Sequence, residues 1–278
     1  MRLEPFPAWL PDPDLAADVA SVPYDVVDRT EARSLLRGRP LSFLHVTRAD
    51  ADLPDCVPAD ADAVYEAARR AWDSLRQRGV LRQDERPSFY VYRQAAGAHA
   101  QTGLVAACRA ADTAAGLIKK HEKTRLDKEN DRCRHILTLR AHTGLVFLAY
   151  RDEAAVDALI KAAQEQAPFC DFTAEDGVCH TVWRAPATPA LQRAFERVPC
   201  TYIADGHHRA AAAARAASQL GPEGGPAAAS ARFPAVLFPA SHLRILPYNR
   251  CVADLNGLSE AQFLAALRKR FEVAEGVG

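Results

Sequence analysis

The chain has 278 residues, 49% of them hydrophobic, with 35 Lys and Arg against 35 Asp and Glu. That length buries a sizeable core, and the zero net charge argues against a constitutive nucleic-acid binder, which uses a basic surplus to neutralise phosphates. No apolar run approaches a membrane span, and Met1-Arg2-Leu3-Glu4-Pro5 lacks the core of a signal peptide, so a cytoplasmic protein with neither a membrane nor a nucleic-acid partner is expected.

In chain order, Ser21 to Val27 reads as a strand or extended segment shaped by Pro23. Asp28 or Thr30 can cap a short helix over Glu31 to Leu36. Leu41 to Val46 is strand-like, which puts His45 on a strand. Ala61 to Arg78 carries Val64, Ala68, Ala71 and Leu75 at helical spacing and ends at Gly79. Ser88 to Gln94 and Thr102 to Arg109 form a hairpin about Gly97, and the aromatic run Phe89-Tyr90-Val91-Tyr92 is explained by core packing.

A charged stretch, Ile118 to Arg140, follows, with Thr124 to Arg134 as helical surface. Gly144 to Tyr150 is a buried strand, Glu153 to Gln166 a helix, Val178 to Arg184 a strand and Pro189 to Glu196 a helix. Thr201 to Ala204 is a strand that runs into a helix over Arg209 to Leu220. Gly221 to Ala231 is a Gly/Pro/Ala loop, Phe233 to Phe238 and Leu243 to Tyr248 are strands, and Ser259 with Gln262 forms a capping box for a helix to Phe271. This alternation predicts an α/β or α+β fold of mixed sheets with flanking helices. The only internal boundary is a weak one near Thr173 to Gly177. The seven cysteines are odd in number and lack C-x-x-C spacing, which points to reduced side chains and not to a disulfide framework or a zinc-thiolate site.

The strongest local signal is Asp205-Gly206-His207-His208-Arg209, between a strand and an Ala-rich helix. A helix start offers unpaired N–H groups and the positive end of the dipole, and glycine lets a ligand approach the backbone. Two histidines and an arginine add donors and charge, while the Asp205 carboxylate can orient a hydroxyl or hold a metal ion. The set suits a phosphate. The plain alternative makes Asp205 an N-cap and leaves the histidines in solvent. Adjacent histidines lack the i,i+4 spacing of a zinc pair.

A second constellation is Lys119-Lys120-His121-Glu122-Lys123-Thr124-Arg125, where Glu122 is a candidate general base and the cations can hold phosphates. Its plain alternative is a solvated, salt-bridged helix. Tyr24, Asp25 and His45 are smaller candidates. There is no G-x-x-x-x-G-K-[ST], G-x-G-x-x-G or G-x-S-x-G signature.

The ordered set Val22-Pro23-Tyr24-Asp25-Val26, Phe43-Leu44-His45-Val46, Lys119 to Thr124 and Ile203 to Arg209 resembles the family called domain of unknown function 1015, from about residue 20 to 271. That family is in turn similar to the ParB/sulfiredoxin fold, so the resemblance implies one family domain over 1–278 with a ParB-like nucleotide-binding core. Sulfiredoxins carry cysteine after the glycine, where this chain has His207, and ParB proteins carry glutamate there. Free-serine kinases of the superfamily carry an Asp-Gly-His-His-Arg turn, which is the nearest match. The resemblance therefore implies a kinase that converts free L-serine to O-phosphoserine with ATP or ADP and Mg²⁺. Asp205 would be catalytic and metal-orienting. Gly206, His207, His208 and Arg209, with Lys120, Thr124 and Arg125, would bind the phosphates. Glu122 would be the base by role, and Tyr24, Asp25, His45 and His121 would line the acceptor site. The other reading is a ParB-like nucleotide-binding regulator without turnover. Family members usually run longer, so a C-terminally shortened chain is expected; the oligomeric state stays open.

Overall fold

The computed structural model describes residues 1–221, 229–246 and 249–274. The chain divides into a large unit, Met1–Leu243, and a small one, Arg244–Gly278.

The large unit begins with β1 (Trp9–Pro11), α1 (Ala16–Val19), α2 (Arg29–Leu36), α3 (Leu44–Thr47) and α4 (Asp62–Gln77), followed by β2 (Leu81–Gln83). The hairpin β3 (Phe89–Ala96) and β4 (His99–Arg109) comes next, then α5 (Ala111–Ala114), β5 (Ile118–Lys119) and α6 (Leu126–Leu139). β6 (Val146–Tyr150), α7 (Ala154–Gln164), β7 (Cys170–Thr173), β8 (Cys179–Ala185) and α8 (Pro189–Glu196) lead to β9 (Thr201–Asp205), α9 (His207–Leu220) and β10 (Arg232–Pro239). The small unit contains α10 (Glu260–Arg268).

Eight of the described strands form one mixed sheet in the order β5-β9-β6-β10-β4-β3-β8-β7, and β1 pairs with β2 apart from it. The architecture is thus α/β with a large mixed sheet and flanking helices. β6 runs parallel to β10 and antiparallel to β9, while β5 runs parallel to β9. Alternation along β3 sorts its side chains. Phe89 and Val91 join the main core with Leu148, Tyr150, Phe195, Ile203 and Leu237, whereas Tyr90 packs on the opposite face with Val105, Val236 and Phe238. The aromatic run is therefore core, as its composition predicts.

A second cluster joins α4 to its surroundings through Val64, Ala68, Trp72 and Leu75, with Trp9 and Phe43 set edge-on to Trp72 at centroid distances of 5.8 and 6.3 Å. Among the described residues, no helix is long and apolar enough to cross a membrane. All seven cysteines are free, and three of them, Cys108, Cys133 and Cys170, are buried.

Several sequence expectations need correction. Ser21 to Val27 is a turn and not a strand: the Val26 N–H donates to the Pro23 carbonyl at 3.3 Å, and Asp28 forms a capping box with Glu31 at the start of α2. Leu41 to Val46 is not a strand either. Its apolar residues serve α3, where Leu44 and Val46 are buried and Thr47 N–H bonds the Phe43 carbonyl, so His45 lies on a helix. Residues 243–246 form no strand; Ile245 and Leu246 are exposed and pair with no sheet edge, and Tyr248 lies outside the described residues. Residues 222–228 of the expected loop also lie outside them, and Ala229–Ala231 is a 3₁₀ turn. The Ser259–Gln262 capping box is present. Thr173 to Gly177 spans the end of β7 and the turn into β8.

α6 is more than a solvated surface, because Cys133, His135 and Leu139 are buried along it. His135 Nε2 donates to the Val46 carbonyl at 2.9 Å, which ties α6 to α3. Burial, with help from the Arg132 charge, pushes the His135 imidazole down to about 4. The unfolded chain thus takes up this proton near pH 6.5 and the folded chain only near pH 4, so the stability is present above pH 6.5 and is lost as pH falls through that window. The expected loss is about 3 kcal/mol. His135→Gln keeps a donor for Val46 but removes the titration. Urea unfolding at pH 7 and at pH 4.5 should show a shallower pH dependence in this variant than in wild type; equal slopes would refute it.

Candidate functional site

The site begins where β9 meets α9. Phe147 pairs with Asp205 but Leu148 with Ile203, so the register shifts and Ala204 is the extra residue of a bulge. Inside–outside alternation breaks there, leaving Ala204 and Asp205 both exposed. A bulge of this kind re-aims side chains at the end of a strand. Gly206 follows at φ +92°, in the left-handed region, and is the N-cap of α9. No side chain caps this helix, and Ala210 supplies the first N–H bonded within it, to the Gly206 carbonyl at 2.9 Å. The preceding N–H groups and the helix dipole are thus available to an anion. Asp205 is not the N-cap; its carboxylate pairs with Arg209 Nη2 one turn on.

Gly206 is required twice over. A Cβ there would stand 3.2 Å from Arg209 Cζ and Nε and 3.4 Å from Val146 Cα, on a backbone that L-residues rarely adopt. Gly206→Ala is expected to cost about 1–2 kcal/mol in stability. It should also abolish any thermal shift induced by nucleotide, which differential scanning fluorimetry reads directly; a retained shift would count against the turn as the phosphate seat.

Arg209 is the hub of the cluster. Its side chain is mostly buried; Nη1 donates to the Leu145 carbonyl, and Nη2 pairs with Asp205 and lies 3.6 Å from Asp25 Oδ2. Asp25 and Tyr24 sit on the turn after Pro23. Arg48, at the end of α3, holds that turn by donating to the Tyr24 carbonyl at 3.1 Å and to the Val27 carbonyl. Arg48 is held in turn by Asp50, through bonds of 3.0 and 2.9 Å. Burial alone would raise the Asp50 carboxyl, but the Arg48 hydrogen bonds and charge outweigh it and hold Asp50 below its ordinary value. Arg132 of α6 stacks over the Tyr24 ring, with Cζ 4.2 Å from the centroid. Burial raises the Tyr24 phenol, and Asp25 adds to this against the opposing pull of Arg132 and Arg209.

His121 and Glu122 approach from the segment after β5. Glu122 Oε2 is 3.5 Å from His207 Nδ1, and the His121 ring stands edge-on to His207 at 4.5 Å. The His207 side chain is only 4% exposed, and its Nε2 has no hydrogen-bond partner among the described residues. Burial, then His121, lowers the His207 imidazole below its ordinary value against the pull of Glu122 and Asp205. Burial therefore favours the uncharged imidazole, which can still donate or accept a hydrogen bond at the turn. Glu122, half-exposed, keeps its carboxylate open to a substrate. His208 reaches the same segment, accepting the Arg125 N–H at Nε2 over 3.1 Å.

Tyr24, Asp25, His121, Glu122 and Arg125 thus all meet the Asp205–Arg209 turn. Of the other expected residues, His45 and Thr124 are bonded elsewhere and Lys120 is exposed. His45 is bound to Asp52 at 2.7 Å and to the Arg39 carbonyl at 3.2 Å, and the Asp52 hydrogen bond raises its pKa. Thr124 donates to Glu129 at 3.2 Å, and Lys120 is exposed on the strand side of His121. The Arg125 guanidinium pairs with Asp127 at 2.7 Å, so only its backbone reaches His208. No group of three or more His, Cys, Asp or Glu side chains among the described residues is arranged to hold a metal ion.

Sequence reasoning passed over Arg48 and Arg132. Arg132 stood within the charged run, and its helical spacing to His135 and Ile136 was the signal that it shares their face. Arg48 had no local signal for this role, because the Tyr24 and Val27 carbonyls it holds lie more than twenty residues away.

No curated protein and no solved structure matches the chain. One family model, described as "Protein of unknown function (DUF1015)", matches residues 3–277. The motifs that converge at this site lie within the matched span, and the chain belongs to the DUF1015 family.

Proposed function

We propose that the protein is a nucleotide-dependent kinase that phosphorylates a small hydroxylated metabolite, free L-serine to O-phosphoserine. One observation carries this reading: the Glu122 carboxylate stands at the anion-receiving start of α9, 3.5 Å from His207, beside the Asp205–Arg209 pair. A phosphate seat and an open base at one place are what phosphoryl transfer to a hydroxyl needs.

The donor set fits a nucleotide's phosphates and one Mg²⁺ ion. The uncapped N–H groups after Gly206 would receive the phosphate oxygens. Asp205 would supply one carboxylate, and with no three-residue cage among the described residues the ion would take its remaining oxygens from phosphate and water, as Mg²⁺ commonly does. When bound, the ion offsets phosphate charge. Asp205 turning to it would release Arg209 toward the transferred group. Glu122 would take the hydroxyl proton as the serine oxygen forms the new O–P bond and the terminal phosphoanhydride bond breaks, with the shortened nucleotide leaving.

The test is incubation with Mg²⁺, L-serine and ATP or ADP, followed by mass spectrometry for O-phosphoserine. No product with either nucleotide would reject the reading. A nucleotide-gated regulator is the second reading, in the manner of ParB-like proteins. The Arg209–Asp25 bridge favours it, because phosphates competing for Arg209 would free the Tyr24 turn. Such a regulator would bind nucleotide without turnover and without need of Glu122.

A further inference from the structure

Behind Arg209 the large unit encloses a cavity of about 30 Å³ that the phosphate seat does not use. Its polar walls are Tyr24, Arg132, His135, His142, Thr143 and Arg209, and none of the residues lining it carries a carboxylate. On a scale where one water needs about 10–15 Å³, this admits the two oxygens of a carboxylate and little more.

We propose that this cavity is the carboxylate-binding subsite for a small amino acid or hydroxy acid, with Arg132 and Arg209 as its cationic walls. The assignment deepens the kinase reading and rests on it for the acceptor's role in turnover, although carboxylate binding itself is independent of turnover.

The arginines are the first support. The Arg132 side chain is only 12% exposed; Nε and Nη2 go to Asp131 at 2.8 and 2.7 Å, and the Tyr24 ring covers its face. Its Nη1 is not used in that pair and is left as a donor for a carboxylate oxygen. Arg209 forms the wall shared with the phosphate turn, so one side chain separates the two subsites. The second support is the character of the other groups. Burial pushes both His135 and His142 below the ordinary imidazole value, so they present neutral rings to the cavity. The third is the loose hold of Asp25 on Arg209, at 3.6 Å, which an incoming carboxylate can replace while Asp131 stays on Arg132 and Asp205 on Arg209. Asp25, partly exposed beside Arg209, is placed to meet an ammonium group.

Titration calorimetry on the full chain without nucleotide tests this. The probes are two pairs: L-serine with its decarboxylated counterpart ethanolamine, and D-glycerate with ethylene glycol. Inorganic phosphate serves as a competitor. At least one carboxylate probe should bind ten-fold or more tighter than its counterpart. Arg132→Lys, which keeps the charge but loses the fork, should weaken that probe at least ten-fold and leave the nucleotide-induced thermal shift unchanged. Arg70→Lys, on the exposed face of α4, is the control substitution and should keep the carboxylate preference. Equal binding within both pairs, binding by neither carboxylate, unaltered affinity in Arg132→Lys, or displacement by phosphate that depends on Arg132 would each overturn the proposal. If a carboxylate binds through Arg132 but no O-phosphoserine forms, the kinase reading fails while the subsite stands.

Discussion

Glu122→Gln is expected to lower O-phosphoserine formation by about 10²–10⁴-fold, the usual contribution of a positioned general base. The substitution keeps the shape of the side chain and its place 3.5 Å from His207, while removing a carboxylate that can accept a proton. Because Glu122 is half-exposed and the amide can keep its place beside His207, Tm should stay within about 1 °C of wild type, as surface changes of this kind cost little. The nucleotide-induced thermal shift should persist, since the phosphate seat belongs to α9. The measurement is a paired kinetic and thermal-shift assay. A variant that retains its full rate would remove Glu122 from the chemistry. Asp205→Asn, tested beside it, separates the two roles: it disturbs the Arg209 pair and should weaken nucleotide-dependent stabilisation as well as rate.

Gly103→Ala should produce the largest loss of stability outside the site. Gly103 lies in β4 opposite Tyr92 of β3, and β4 also pairs with β10. A Cβ at this position would stand 2.8 Å from the Leu237 carbonyl oxygen and 2.8 and 2.9 Å from the Phe238 ring. The ring cannot simply swing away, because Phe147 packs against it at a centroid distance of 4.7 Å. The carbonyl belongs to the backbone of β10, so relief requires the strand itself to move. Overpacking of this kind costs about 2–3 kcal/mol, equivalent to a fall in Tm of roughly 3–5 °C for a chain of this size. Scanning calorimetry checks it; an unchanged Tm would mean that β10 yields more easily than its pairing suggests. Since β10 runs parallel to β6, which pairs with the site-bearing β9, the same substitution should also loosen nucleotide binding.

Much of the secondary structure is determined by the sequence alone, for reasons that are local. The β3–β4 hairpin follows from alternating strand formers about Gly97. α4 follows from apolar spacing and the glycine after it, and α10 from the Ser259–Gln262 box. The Asp205-Gly206-His207-His208-Arg209 turn is legible as a strand-to-helix junction because a glycine between a strand and an Ala-rich helix carries its own geometry. The short strands β1, β2, β5 and β7 were not legible, since two to four residues acquire strand structure only from distant partners. His45 was misplaced for a related reason: β-branched and aromatic neighbours favour a strand, but burial of Leu44 and Val46 selects the helix.

The chain by itself therefore determined the phosphate-like turn, the class of the fold and the candidacy of Glu122. Only the tertiary structure decided which candidates share a site. It bulged β9 so that Asp205 meets Arg209, anchored the Tyr24 turn through Arg48, and drew Arg132 inward from a charged run that reads as surface. The physical reason is one of range. Capping, periodicity and positive φ act over a few residues. The ion pairs and ring contacts that assemble this site join residues far apart in the chain, whose meeting depends on how the sheet and α6 pack.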